Sequence, residues 1–102
     1  MSALGTEFKI NVHVEPIDGL HMGDYDFECE FFAYTNRGVK IPKSRMRKVD
    51  DDNYLAMITT ELGKTIGRGT LKLRLTAYIP DDDFEDGVRT EVAEVCTGVT
   101  IV

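Results

Sequence analysis

Three stretches of the chain alternate between apolar and polar side chains with a period of two, the pattern of a β-strand with one buried face. In the first, Phe8, Ile10, Val12 and Val14 alternate with Lys9, Asn11 and His13. In the second, Tyr25, Phe27, Cys29, Phe31 and Ala33 face inward while Asp24, Asp26, Glu28 and Glu30 face outward. In the third, Leu71, Leu73, Leu75, Ala77 and Ile79 alternate with Lys72, Arg74, Thr76 and Tyr78, the cleanest strand of the chain. Weaker signals fill the gaps. Thr35-Asn36-Arg37-Gly38 is a turn, since Asn and Gly tolerate positive φ, and it returns the chain through Val39 to Ile41 as a hairpin partner until Pro42 stops it. Met46 to Val49 reads as a short strand, and Asp50-Asp51-Asp52-Asn53 as a polar turn into Tyr54-Leu55-Ala56-Met57-Ile58. Thr59 to Gly69, with Gly63, Gly67 and Gly69, is expected to hold at most one helical turn within a crossover loop. The last run, Arg89 to Cys96, breaks at Thr97-Gly98 and resumes from Val99 to Val102. An acidic loop, Tyr78 to Val88, joins the last two runs as a strand–loop–strand connection.

Six to eight short strands at regular spacing define an all-β fold, an antiparallel immunoglobulin-like β-sandwich. At 102 residues the chain is one domain, 1–102, with one core. Cys29 and Cys96 are spaced loosely like the inter-sheet pair of an immunoglobulin domain, but no Trp is present to pack on such a bridge. No apolar run approaches the roughly 20 residues that cross a bilayer, and the N-terminus lacks a charged start followed by an apolar stretch. The reading is therefore synthesis in the cytoplasm without a signal peptide, no membrane partner, and cysteines that stay buried thiols.

Most motifs that carry chemistry fail on inspection. Gly63-Lys64-Thr65 resembles the end of a phosphate-binding loop, but Ile58 stands where its first glycine is needed, and Gly67 and Gly69 interrupt the helix that should follow. Gly67-Arg68-Gly69 has Lys72 in place of the third glycine of a dinucleotide fingerprint. A calcium loop starting at Asp81 would need glycine at Asp86 and glutamate at Val92, so Asp81 to Asp86 reads instead as a solvated turn whose aspartates cap its own backbone. Two histidines, His13 and His21, cannot make a multi-His metal site, and His13 points outward while Cys29 points inward, which separates a Cys–His pair. The outward carboxylates of the second strand lack the apolar pocket that raises a carboxyl pKa for acid–base work. No cofactor, metal ligand or catalytic residue emerges.

Charge carries the one partner signal. The formal charge is −6, with 18 acidic against 12 basic residues, which disfavours nucleic acid and anionic membranes. Arg37, Lys40, Lys43, Arg45, Arg47 and Lys48 nonetheless fall together, with acids crowded on either side. They fit either a surface that meets a negative protein partner or another copy's Asp24, Asp26, Glu28 and Glu30, or an edge strand guarded by charge against unwanted pairing.

The combination Gly19-Leu20-x-Met22-x-Asp24-Tyr25-Asp26-Phe27, Asp52-Asn53-Tyr54 and Tyr78-Ile79-Pro80-Asp81-x-Asp83-Phe84-x-Asp86-Gly87-x-Arg89-x-Glu91-Val92 resembles a family of short proteins encoded in prophage or other mobile regions of anaerobic gut bacteria, near tail-like genes. In strand pattern the chain is also similar to the N-terminal β-sandwich of siphophage upper-baseplate proteins. The resemblance implies a non-enzymatic tail or baseplate adaptor, virion-associated once assembled, that works through protein contacts or self-association; it brings no catalytic residue with it. The alternative from the loops is a binding module for a glycan or an acidic ligand. Aromatic rings projecting together from loops would favour the second, a continuous exposed strand edge the first.

Overall fold

The computed structural model describes residues 3–34 and 38–102. Among the described residues, seven antiparallel strands form two packed sheets. β1 (Phe8–His13), β5 (Asn53–Ile58) and β4 (Arg47–Asp50) make the smaller sheet, in the order β1-β5-β4. β3 (Val39–Pro42), β2 (Asp26–Phe32), β6 (Gly69–Pro80) and β7 (Val88–Ile101) make the larger, in the order β3-β2-β6-β7. The chain is thus an all-β sandwich, with the strand number and the inward faces that alternation indicates. Strands 1, 4 and 5 against 3, 6 and 7 is the division between sheets found in immunoglobulin constant-type domains. β2, however, lies between β3 and β6 in the larger sheet. The turn at Thr35–Arg37 lies outside the described residues.

The core forms where the two inner faces meet. Phe27, Cys29 and Phe31 of β2 and Leu71, Leu73, Leu75, Ala77 and Ile79 of β6 face Ile10, Val12, Tyr54, Ala56 and Ile58 of the smaller sheet, all buried. The Phe27 ring meets the Tyr54 ring edge-on at 5.2 Å, and the Tyr25 ring packs edge-on against Phe27 at 6.1 Å. Lys43 closes this cluster: its Nζ donates to the Tyr25 carbonyl (2.8 Å) and lies 5.7 Å and 5.9 Å from the Phe27 and Tyr54 ring centres.

Three expectations change. Thr59–Gly69 is not a loop with one turn but contains α1 (Thr60–Ile66). Thr59 caps it by accepting from the Leu62 N–H, and Gly67, at φ 86°, ends it with its N–H on the Gly63 carbonyl. The cost of Gly63 inside the helix, about 1 kcal/mol, is offset by the full burial of Ile66. The break foreseen at Thr97-Gly98 is a bulge inside one continuous strand: Thr100 still pairs with Thr70 and Cys96 with Lys72, so three residues of β7 stand opposite Leu71 alone. Gly98 takes φ 81°, and Thr97 Oγ1 both donates to the Leu71 carbonyl and accepts from the Val99 N–H, holding the extra residues in place. Finally, only Cys29 is a buried thiol, its pKa pushed up to about 12 by desolvation; Cys96 is free and exposed on β7.

Candidate interaction surface

The charged residues singled out by the sequence are distributed by strand register. On the outer face of the larger sheet, Lys40 pairs with Glu30, Glu30 with Arg74 and Arg74 with Glu94, a row of alternating sign across all four strands. Arg74 donates to Glu30 (2.8 Å) and to Glu94 (3.1 and 3.2 Å) while its guanidinium lies 5.0 Å from the Phe32 ring centre. Glu28 accepts from the Tyr78 hydroxyl at 3.1 Å. Lys40 and Glu30, expected on opposing surfaces of two copies, therefore share one row in one molecule, and opposite charges directly across strands stabilise the sheet locally.

The remaining acids of the second strand serve the backbone. Asp24, in the 3-10 turn Met22–Asp24, accepts from the His21 N–H, and Asp26 from the Phe27 N–H. Of the basic segment, Lys43 is folded over the aromatic cluster and Lys48 pairs with Asp51 at 3.2 Å; Arg45 and Arg47 are exposed and form no ion pair with the described residues. Arg37 lies outside the described residues. Lys40 and Lys48 sit on β3 and β4, the outermost strands of their sheets and each only four residues long. Pro42 ends β3, and the pairing of β4 slips between Lys48 and Asp50. Short length, proline, charge and irregular pairing are the devices that keep a sheet edge from recruiting another strand.

Over its first nine residues β7 is neither short, nor broken by proline, nor irregularly paired. From Val88 to Cys96 it pairs without interruption with β6 on one side, while its other side is an edge of the sheet. Thr90 to Cys96 are exposed on both faces, with Val92 61% and Val95 53% accessible. Its charges are already used within the molecule: Glu94 by Arg74, and Arg89 by Asp18 (2.7 Å), Asp81 (2.8 Å) and Glu91 (3.2 Å). The inner side of the same strand borders an open groove of about 260 Å³ between the two sheets, lined by Ile10, Val12, Leu73 and Val95. The groove exists because the smaller sheet stops at β1, leaving this part of β7 without a facing strand.

The Ile17–Leu20 turn, the Met22–Asp24 turn and the β6–β7 loop are tied together at one end of the sandwich. Asp18 and Gly19, both at positive φ, form a two-residue turn closed by reciprocal bonds between Ile17 and Leu20, the geometry of a type I′ hairpin. Arg89 clamps this turn to Asp81 at the start of the acidic loop. Asp81 and Asp86 accept from the Asp83 and Val88 N–H groups, so the loop's carboxylates cap its own backbone. The Asp51–Asp52 turn joins in: the Met22 and Val14 N–H groups donate to the Asp51 and Asp52 carbonyls, and His21 Nδ1 lies 2.7 Å from the Asp52 carboxylate. These motifs build architecture. Among the described residues no three His, Cys, Asp or Glu side chains are grouped to hold a metal ion.

Both histidines are held above their ordinary pKa, His13 by bonding to Glu15 and Asn53 and His21 by Asp52. A group whose pKa rises on folding stabilises the fold fully below its unfolded value, near 6.5, and loses that contribution as pH climbs through the folded value. Bonding to Asn53 and to the Asp52 N–H lowers the Asp50 pKa, so its contribution is present above about 4 and lost in acid. The melting temperature is therefore expected to fall modestly between pH 5.5 and 8. Substituting His13→Asn and His21→Asn together should flatten that slope in scanning calorimetry.

Among the described residues, exposed aromatic rings do not gather into one platform. Tyr34, 90% accessible, follows β2 near the start of β6, and Phe84, 47% accessible, lies in the loop after its end. The twelve residues of β6 separate them. No helix among the described residues is long and apolar enough to cross a membrane.

Fold and surface together define an antiparallel β-sandwich in which β3 and β4 carry guarded edges and β7 a long open one. Comparison with protein-family models, with curated proteins and with solved structures gave no match.

Proposed function

We propose that this chain is a non-enzymatic assembly module of a phage or prophage tail or baseplate, acting through protein–protein contacts. The observation that supports the reading is the open edge of β7, because unpaired N–H and C=O groups on a long, regular edge are a template for another strand. The phage context rests on the resemblance carried by the Gly19–Phe27, Asp52–Tyr54 and Tyr78–Val92 segments. The separation of Tyr34 from Phe84 gives no support to the glycan-binding alternative. The test is localisation. After prophage induction in the source bacterium, peptides of this chain should be found by mass spectrometry in purified tail-bearing particles at a fixed ratio to the major tail protein. Their absence from washed particles would overturn the proposal.

A further inference from the structure

We infer that the strand accepted by β7 is β7 of a second copy, paired antiparallel about a two-fold axis at Val92. This deepens the assembly reading and rests on it for its biological setting, but the pairing itself follows from the edge.

A two-fold axis perpendicular to a sheet keeps the inner faces of both copies on one side, so each inward residue must oppose an inward residue. The register with β6 assigns these sides: Arg89, Glu91, Ala93 and Val95 lie opposite Ile79, Ala77, Leu75 and Leu73 and so share their inner face, while Thr90, Val92 and Glu94 lie on the outer one. Centring the pair on Val92 opposes Val88 with Cys96, Arg89 with Val95, Thr90 with Glu94 and Glu91 with Ala93, and sets Val92 against its own copy. Every residue of the uninterrupted segment Val88–Cys96 is then paired. No two like charges stand directly opposite, and the Thr90 hydroxyl can donate to the Glu94 carboxylate of the second copy. Other centres do worse. Glu91 or Glu94 at the axis sets two identical carboxylates against each other, which is destabilising. Thr90 or Ala93 at the axis leaves part of the segment unpaired. Charge and length thus choose the same register. With Arg89 and Glu94 each engaged inside its own molecule, the edge also meets its copy without unpaired charge of its own. The product is one eight-stranded sheet spanning two molecules, with Val92 at its centre.

Cross-linking reads the register directly. Residues directly opposed in an antiparallel pair have Cα atoms about 4.5–5.5 Å apart, within the range a disulfide bridges. In a Cys96→Ser background, Val92→Cys should give a disulfide-linked dimer on mild oxidation, whereas Thr90→Cys, opposed to Glu94, should not. The unmodified protein should sediment as a dimer that fails to cross-link through Cys96, because those thiols would stand at the two ends of the paired segment. Val92→Glu, at an exposed position, should convert the dimer to a monomer that keeps the folded circular dichroism spectrum and whose melting temperature no longer depends on protein concentration. A monomer at hundreds of micromolar, or Thr90→Cys cross-linking as readily as Val92→Cys, would overturn the inference. A monomeric chain that is still found in tail particles would leave the assembly reading standing with a different partner. A dimer absent from particles would do the reverse.

Discussion

Replacing Phe27 with alanine is expected to lower the free energy of unfolding by about 3–5 kcal/mol, a large part of the 5–15 kcal/mol that holds a domain of this kind together. Phe27 is fully buried on β2, at the point where the sheets meet, with its ring edge-on to Tyr54 and flanked by Tyr25. Aromatic pairs of this geometry are worth roughly 0.5–1.5 kcal/mol beyond the area they bury. Truncation would remove both contacts and one of the two rings facing the Lys43 ammonium, while the flanking strands, held by backbone pairing on both sides of β2, limit collapse into the space. Urea titration followed by circular dichroism would measure the loss as a shift in midpoint at constant slope. A loss below 1 kcal/mol would mean that the ring is not the centre of the core.

The second large effect separates two leucines that sequence treats alike. Leu71→Ala and Leu73→Ala each remove the same side chain from the inner face of β6, and the expected range for either is roughly 2–5 kcal/mol. Leu71 is wholly inaccessible, whereas Leu73 lines the groove between β1 and β7. A cavity that opens to water relaxes and hydrates more easily than a closed one, so Leu73→Ala should fall near the lower end and Leu71→Ala near the upper. Equal losses in the same titration would show that the groove is closed in solution.

What was legible in the sequence was local. Alternation at Phe8–Val14, Tyr25–Ala33 and Leu71–Ile79 located three strands and their buried faces, and the Asp81–Asp86 turn was readable from aspartates that bond to the next backbone amides. α1 was obscured by Gly63, whose low helix propensity is outweighed by a Thr59 cap and by Ile66 entering the core, the second of which no local window shows. The fate of the charges was not legible at all. Whether Glu30 faces a partner or Arg74 depends on which strands neighbour β2 and in what register, a pairing of residues 44 apart in sequence. The open edge did leave a trace: in Thr90-Glu91-Val92-Ala93-Glu94-Val95-Cys96 the period of two fails, with apolar and acidic residues on both faces. A strand with no consistently dry side is one that the rest of the molecule does not cover.

The bulge at Thr97–Val99 gives that edge a measured length. At about 3.4 Å per residue, Val88–Cys96 offers roughly 30 Å of regular template, after which the backbone kinks and the main-chain carbonyl of Val102 is taken by the Leu4 N–H. Any strand that docks is therefore gauged as it binds: a shorter one leaves amides unmet, and a longer one must bend away.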